Sequence, residues 1–262
     1  MNFNTDIFDL SIYRHKKFNL IGARLPNVKD IFLRAKQEEI YQQYDSARIF
    51  LKETETEDWN HWIDTNNKKY QEASKIILKT RMFESSLMFY NIVVDLSWVL
   101  CYVSAEFAFY RKDEAINLCN MINIEDAYKI LRQVERVVSS PNCDGNQFEY
   151  LKSICPDFLE PIELVIEFWN SFFDSDIRKL YNFIKHKGKP RYEELENLIL
   201  YKSPELIINN EHYPMDISDV QMTISLNKFT RKLAEFDDNV LYPYIRKLYE
   251  LLENVIEPSP FV

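Results

Sequence analysis

Apolar residues recur at steps of three and four along most of this chain. Val28, Ile31 and Ala35, and then Ile40, Tyr44, Ala47 and Leu51, keep that step, which predicts a helix over about 27–56. TEDWNHWIDTNNKKYQEASKIILKTRM predicts a second, more polar helix, and residues 83–111 an apolar central one. KDEAINLCNMIN and NIEDAYKILRQVERVVSS predict two shorter helices. The segment SSPNCDGNQ, 139–147, brings Pro, Asn, Asp and Gly together and reads as a loop. One helical domain over 1–262 is expected. That loop is the candidate subdivision, with N-terminal helices over 27–138 and C-terminal helices over 148–256.

Past the loop, Ile162, Val165, Trp169, Phe173, Ile177, Leu180 and Ile184 hold one stripe for about six turns. They predict a single long helix that ends at HKGKP, where Gly188 and Pro190 are stop signals. NLILYKSPELIINNEHYPMDIS is the strand-like region. Its β-branched residues flank NNEHYP and predict a small β-hairpin near 197–217. Ser218 or Asp219 is then the expected cap of a last helix phased by Leu226, Phe229, Leu233, Phe236, Val240, Tyr244, Leu248 and Leu251. Pro243 should kink or divide it, because it lacks an N–H and crowds the carbonyl four residues earlier. The predicted fold is therefore all-α, a multi-helix bundle with a small β-hairpin insertion.

Composition sharpens this picture. Three glycines in 262 residues are too few for Gly-rich phosphate loops or strand-rich folds. With 46% hydrophobic and 15% aromatic residues the chain can bury a core. The stretch from Ser86 to Tyr110 has the length of a membrane span, but Asp95 and Glu106 would be costly in hydrocarbon, so a core helix is expected and no membrane. Cys101, Cys119, Cys143 and Cys155 are scattered without a CxxC, which suggests no zinc site and a reduced thiol set. The first residues lack a basic segment followed by an apolar one, so no signal peptide is expected, and a cytoplasmic location is. No HExxH, di-iron ExxH pair, P-loop or GxSxG occurs, and no metal or cofactor is expected.

Charge singles out one segment. The net charge is −9, yet Ile177 to Arg191 holds six cations (Arg178, Lys179, Lys185, Lys187, Lys189, Arg191) and no acid. At 100° per residue Ile177, Leu180 and Ile184 share one helix side, while Arg178, Asn182 and His186 share the other. Ser171 and Ser175 extend that polar face upstream. A helix C-terminus favours the imidazolium of His186, and the neighbouring cations oppose it. Such a histidine can move protons, and the cations can hold a phosphate. A solvated polar face with dipole-compensating lysines is the plain alternative.

LYNFIKHKG resembles the end of the third helix of HEPN-domain proteins. These are all-helical bundles, many of them metal-independent RNases of toxin–antitoxin, abortive-infection and CRISPR-associated systems. Their signature is an Arg, a polar residue directly after it, and a His four to six residues after the Arg. Asn182 and His186 match the polar residue and the His, and Tyr181 stands in the Arg position. Arg178, one turn earlier, is the candidate substitute.

The resemblance implies an endoribonuclease of bacterial stress or antiphage defence, with His186, Asn182 and Arg178 catalytic. It implies RNA along Lys185, Lys187, Lys189 and Arg191, a homodimer through the 171–186 face, and a protein partner such as an antitoxin. Asp95, one turn after Asn91, is a candidate to orient Arg178, with a solvent-facing carboxylate as the alternative. The competing expectation for the whole protein is a non-catalytic partner-binding or RNA-binding bundle with a degenerate motif, which Tyr181 and the acidic total charge favour. A small-molecule regulator is a third, with no site to name.

Among the other histidines, His61 lies between Trp59 and Trp62, either as a base-stacking platform or with its indoles docked on the bundle. His15 belongs to a basic N-terminal patch, and His212 to the expected hairpin turn.

Overall fold

The computed structural model describes residues 28–59, 63, 65–112, 151–153, 155–196, 198, 205–214 and 222–255. Of these, 79% are helical, and the strands form only two small two-stranded sheets, so the all-α class with a hairpin insertion holds. The expected helices between 113 and 140, the 139–147 loop, His15, His61, Trp62, Ser218 and Asp219 lie outside the described residues.

Helix α1 is Val28–Glu53, close to the expected span. Helix α2 is Lys68–Lys112, which corrects two predicted helices into one of 45 residues. The polar stretch before it is not part of it: 56–59 is irregular, and Asn67 Oδ1 accepts the N–H groups of Lys69 and Tyr70 at the helix start. By length and composition α2 could cross a membrane between Lys68 and Tyr102, but 67% of its most apolar window is buried within the chain. Helix α3 is Leu159–Phe173, entered through a short 3₁₀ turn at Pro156–Phe158. Helix α4 is Asp176–His186. The single long helix expected over this region is thus broken. Ser175 is extended and accepts the Arg178 N–H on its hydroxyl, which starts a new helix.

Strand β1 is Arg191–Tyr192, followed by the single turn α5, Glu193–Glu196. Strands β2, Glu205–Ile208, and β3, Glu211–Pro214, form the expected hairpin. Asn209 and Asn210 both take positive φ, 53° and 66°, as a two-residue turn that matches strand twist requires. His212 lies in β3 opposite Ile207, two residues past the turn and not in it as expected. Strand β4, Thr223–Ile224, runs parallel to β1. The last helical run is Leu226–Phe236 (α6), a π-helical turn at Asp237–Leu241, and Tyr242–Val255 (α7). Pro243 sits two residues past the π turn, which interrupts the α-helical pattern while the run stays helical on both sides of it. The start of α6 is held by Ser225 and by Glu194, whose carboxylate accepts the Leu226 and Asn227 N–H groups at 2.9 and 3.0 Å.

The chain forms two compact units. Among the described residues the first holds those up to Asp45, Phe89–Phe173 and those from Asp237. Its core is aromatic: Phe168 stacks on Tyr244 at 3.7 Å between centroids, and Trp98 meets Trp169 edge-on at 4.3 Å. The Tyr244 and Ser97 hydroxyls share a hydrogen bond of 2.9 Å. Burial, and a smaller push from nearby ionisable groups, hold the Tyr244 phenol neutral far above its usual range. Fully buried Asp237, on the π turn, accepts a short hydrogen bond from Tyr44. The second unit holds Ser46–Met88 and Asp174–Phe236. There the Ser86 hydroxyl donates to the Ala47 carbonyl at 2.7 Å and ties the last turns of α1 to α2.

Candidate functional site

The basic segment lies in the second unit, on α4 and the loop after it. Helix α4 forms because Ser175 caps it, Asp176 sits in its first turn, and Ile177, Leu180 and Phe183 bury one side. The Asp176 carboxylate takes the Lys232 ammonium of α6. That hydrogen bond, with the charge behind it, holds the carboxyl below its ordinary range. The far end stops at Gly188, whose φ is +117°, a conformation that L side chains rarely adopt. The N–H groups of Lys187 and Gly188 both reach the Phe183 carbonyl, at 2.8 and 3.1 Å.

The expected catalytic residues do not share one surface. Arg178 is buried, with 6% of its surface exposed, where a solvated polar face was expected. Its guanidinium carbon lies 5.1 Å from the centre of the Tyr181 ring. Asn182 is half-buried, and His186 is exposed at the last turn. Eight residues of helix put Arg178 and His186 about 12 Å apart along the axis. The helix wheel misplaced Arg178 because burial is not uniform along one face: Arg178 is enclosed near the start of α4, between exposed Asp176 and Lys179, while His186 two turns later on the same face is open. The break at Asp174–Ser175 also means that 171–186 is not one helix face. Ser171 turns its hydroxyl onto the Phe168 carbonyl, and Ser175 is a cap.

The expected phosphate-binding residues separate into two groups. Lys185, His186 and Lys187 are consecutive and exposed. The Lys185 ammonium lies 5.8 Å from the Tyr181 ring centre. Lys189 is also exposed but lies 3.8 Å from Glu84, and half-buried Arg191 lies 4.0 Å from Glu196. The Arg191 N–H donates to the Met222 carbonyl at 2.8 Å, within the β1–β4 pair.

Glu84 was not legible as part of this site. It sits on α2, is 8% exposed, and takes Arg81 Nη1 at 3.0 Å and the Tyr192 hydroxyl at 3.0 Å. Burial, and then the Glu84 charge, push the Tyr192 phenol up, so it stays a donor. The basic loop is thereby tied to α2 through Tyr192 and Lys189. No local signal joins Glu84 to Tyr192, which are 108 residues apart.

Asp95, in the first unit, is exposed, and Asn91 is fully buried. Trp59 is buried with its indole N–H on the Thr56 carbonyl at 2.8 Å, as expected of a docked indole. Among the described residues no three His, Cys, Asp or Glu side chains gather as metal ligands. No protein-family model, curated protein or solved structure matches this chain.

Proposed function

We propose that this protein is an RNA-binding helical protein, HEPN-like around α4, that holds a phosphate backbone at the end of that helix without cutting it. The observation that carries the reading is the split of the motif. Lys185, His186 and Lys187 are exposed together, whereas Arg178 is buried against Tyr181. Exposed consecutive cations are suited to phosphates. Metal-free cleavage also needs a cation beside the proton-moving histidine to stabilise developing charge. Lys185 and Lys187 flank His186, but Arg178, the only candidate for the motif's guanidinium, is about 12 Å up the helix and enclosed, so His186 lacks the arginine with which the resembling motif pairs its histidine.

The exposed imidazole favours one second reading, the metal-independent endoribonuclease, with its dimer and its place in stress or antiphage defence. One experiment separates the two: RNA binding and RNA cleavage in EDTA by wild type and His186→Ala, together with the mass of the protein in solution. We expect salt-sensitive binding by both proteins and cleavage by neither. Cleavage by wild type alone, from a dimer, would overturn the non-catalytic reading. Unchanged binding after charge reversal of Lys185, Lys187 and Lys189 would overturn the phosphate site itself.

A further inference from the structure

Tyr181 occupies the position where the resembling motif carries an arginine. It is half-buried, next to Arg178 and Lys185, and one turn before the exposed cations. The two cations differ. Arg178 is enclosed beside the ring, whereas Lys185 is exposed on a long flexible chain. At 5.8 Å from the centroid, Lys185 is near the limit of cation–π attraction, which is weak at exposed sites. A phosphate therefore competes effectively for the Lys185 ammonium.

We infer that Tyr181 is a stacking platform for an unpaired base, so that the ligand of the basic helix end is single-stranded RNA and not a duplex. The inference rests on the RNA-binding reading above. A backbone phosphate draws Lys185 and Lys187 outward, and a neighbouring base takes the place of Lys185 on the ring. Tyr181 and Lys185 are separated by about 6 Å along the helix, within the reach of one nucleotide. A duplex keeps its bases stacked on one another and offers the protein only backbone, whereas a single strand offers both phosphate and π-face. Because every base has a π-face, recognition of this kind tolerates sequence change. Trp59 and Tyr192 in the same unit are buried, their polar atoms bonded to Thr56 and Glu84, and are not available for this role.

The test measures fluorescence anisotropy of the full chain with three probes: an oligouridylate of about twelve nucleotides, an abasic oligomer of the same length, and an RNA duplex. Wild type should bind the oligouridylate about tenfold more tightly than the abasic oligomer. Tyr181→Ala should erase that ratio and leave abasic binding as it was, and Tyr181→Phe should keep it. Should Tyr181→Ala fail to fold, Tyr181→Leu keeps the apolar bulk without the π-face. Equal wild-type affinity for base-bearing and abasic strands overturns the stacking role and needs no variant. If Tyr181→Ala binds like wild type while Lys185→Glu with Lys187→Glu weakens binding, the stacking role falls and the phosphate site stands. If wild type binds none of the probes, both fall.

Discussion

The two units are held by different chemistry. In the first, Phe168, Tyr244, Trp98 and Trp169 close the core ring against ring, and burial holds the Tyr244 phenol neutral. In the second, charged side chains join the elements: Glu84 gathers Arg81, Tyr192 and Lys189, Glu194 caps α6, and Asp176 holds Lys232. The difference teaches how to read the cations of an acidic protein. In the second unit a cation by itself says little about ligands, because Arg178 and Arg191 are largely absorbed by the fold. The cations that matter for binding are those left exposed past the last apolar turn of α4.

The sharpest way to break this comparison is in the aromatic core. Phe168→Ala removes a ring that stacks on Tyr244 and leaves a cavity, and we expect a loss of about 3–5 kcal/mol in urea unfolding. RNA affinity of the folded fraction should be unchanged. A change in affinity as large as that of the Lys185 and Lys187 reversals would show that the two chemistries are not separate.

A smaller effect is expected at Glu84. Glu84→Ala strips the Tyr192 hydroxyl and Arg81 of their shared acceptor, and should cost about 1–3 kcal/mol. Glu84→Gln keeps an acceptor for Tyr192 and should recover most of that loss. If the two variants are equally destabilised, the carboxylate's charge and not its hydrogen bonding ties the loop.

The smallest effect is the acid response of the α6 cap. Burial raises the Glu194 carboxyl, but the N–H groups of Asn227 and Leu226 and the Ser225 hydroxyl outweigh it and leave the pKa below the ordinary 4.5. A carboxyl depressed on folding contributes stability that is fully present above the unfolded value and is lost as pH falls through the folded one. Stability measured from neutral pH down through 4.5 should therefore decline on the acid side, and Glu194→Gln should flatten that decline. Asp176, depressed in the same direction by Lys232, remains in both proteins and cancels in the comparison. An identical acid limb in the variant would mean that Glu194 does not hold the cap in solution.

Much of this fold was legible because it is written in short-range periodicity. The steps through Ile40, Tyr44, Ala47 and Leu51 gave α1, and all four are buried. Gly188 marked the end of α4, and β-branched residues around Asn209 and Asn210 marked the hairpin. The break between α3 and α4 was hidden because Phe173 and Ile177 keep the four-residue step across it. Ser175 between two aspartates was the available capping signal.

The candidate site was legible as a cluster of residue types and not as an arrangement. The sequence by itself determined that the chain is mostly helical, that a hairpin turns at Asn209 and Asn210, that α4 ends at Gly188, and that positive charge collects between Arg178 and Arg191. All of these follow from interactions among residues a few positions apart. Only the tertiary structure decided that Arg178 is enclosed while His186 is open. Only it brought Glu84 to Tyr192 and Lys189, and Glu194 to the start of α6. Those outcomes depend on which distant segments pack beside a helix and how far along its axis they reach, and no local pattern encodes that.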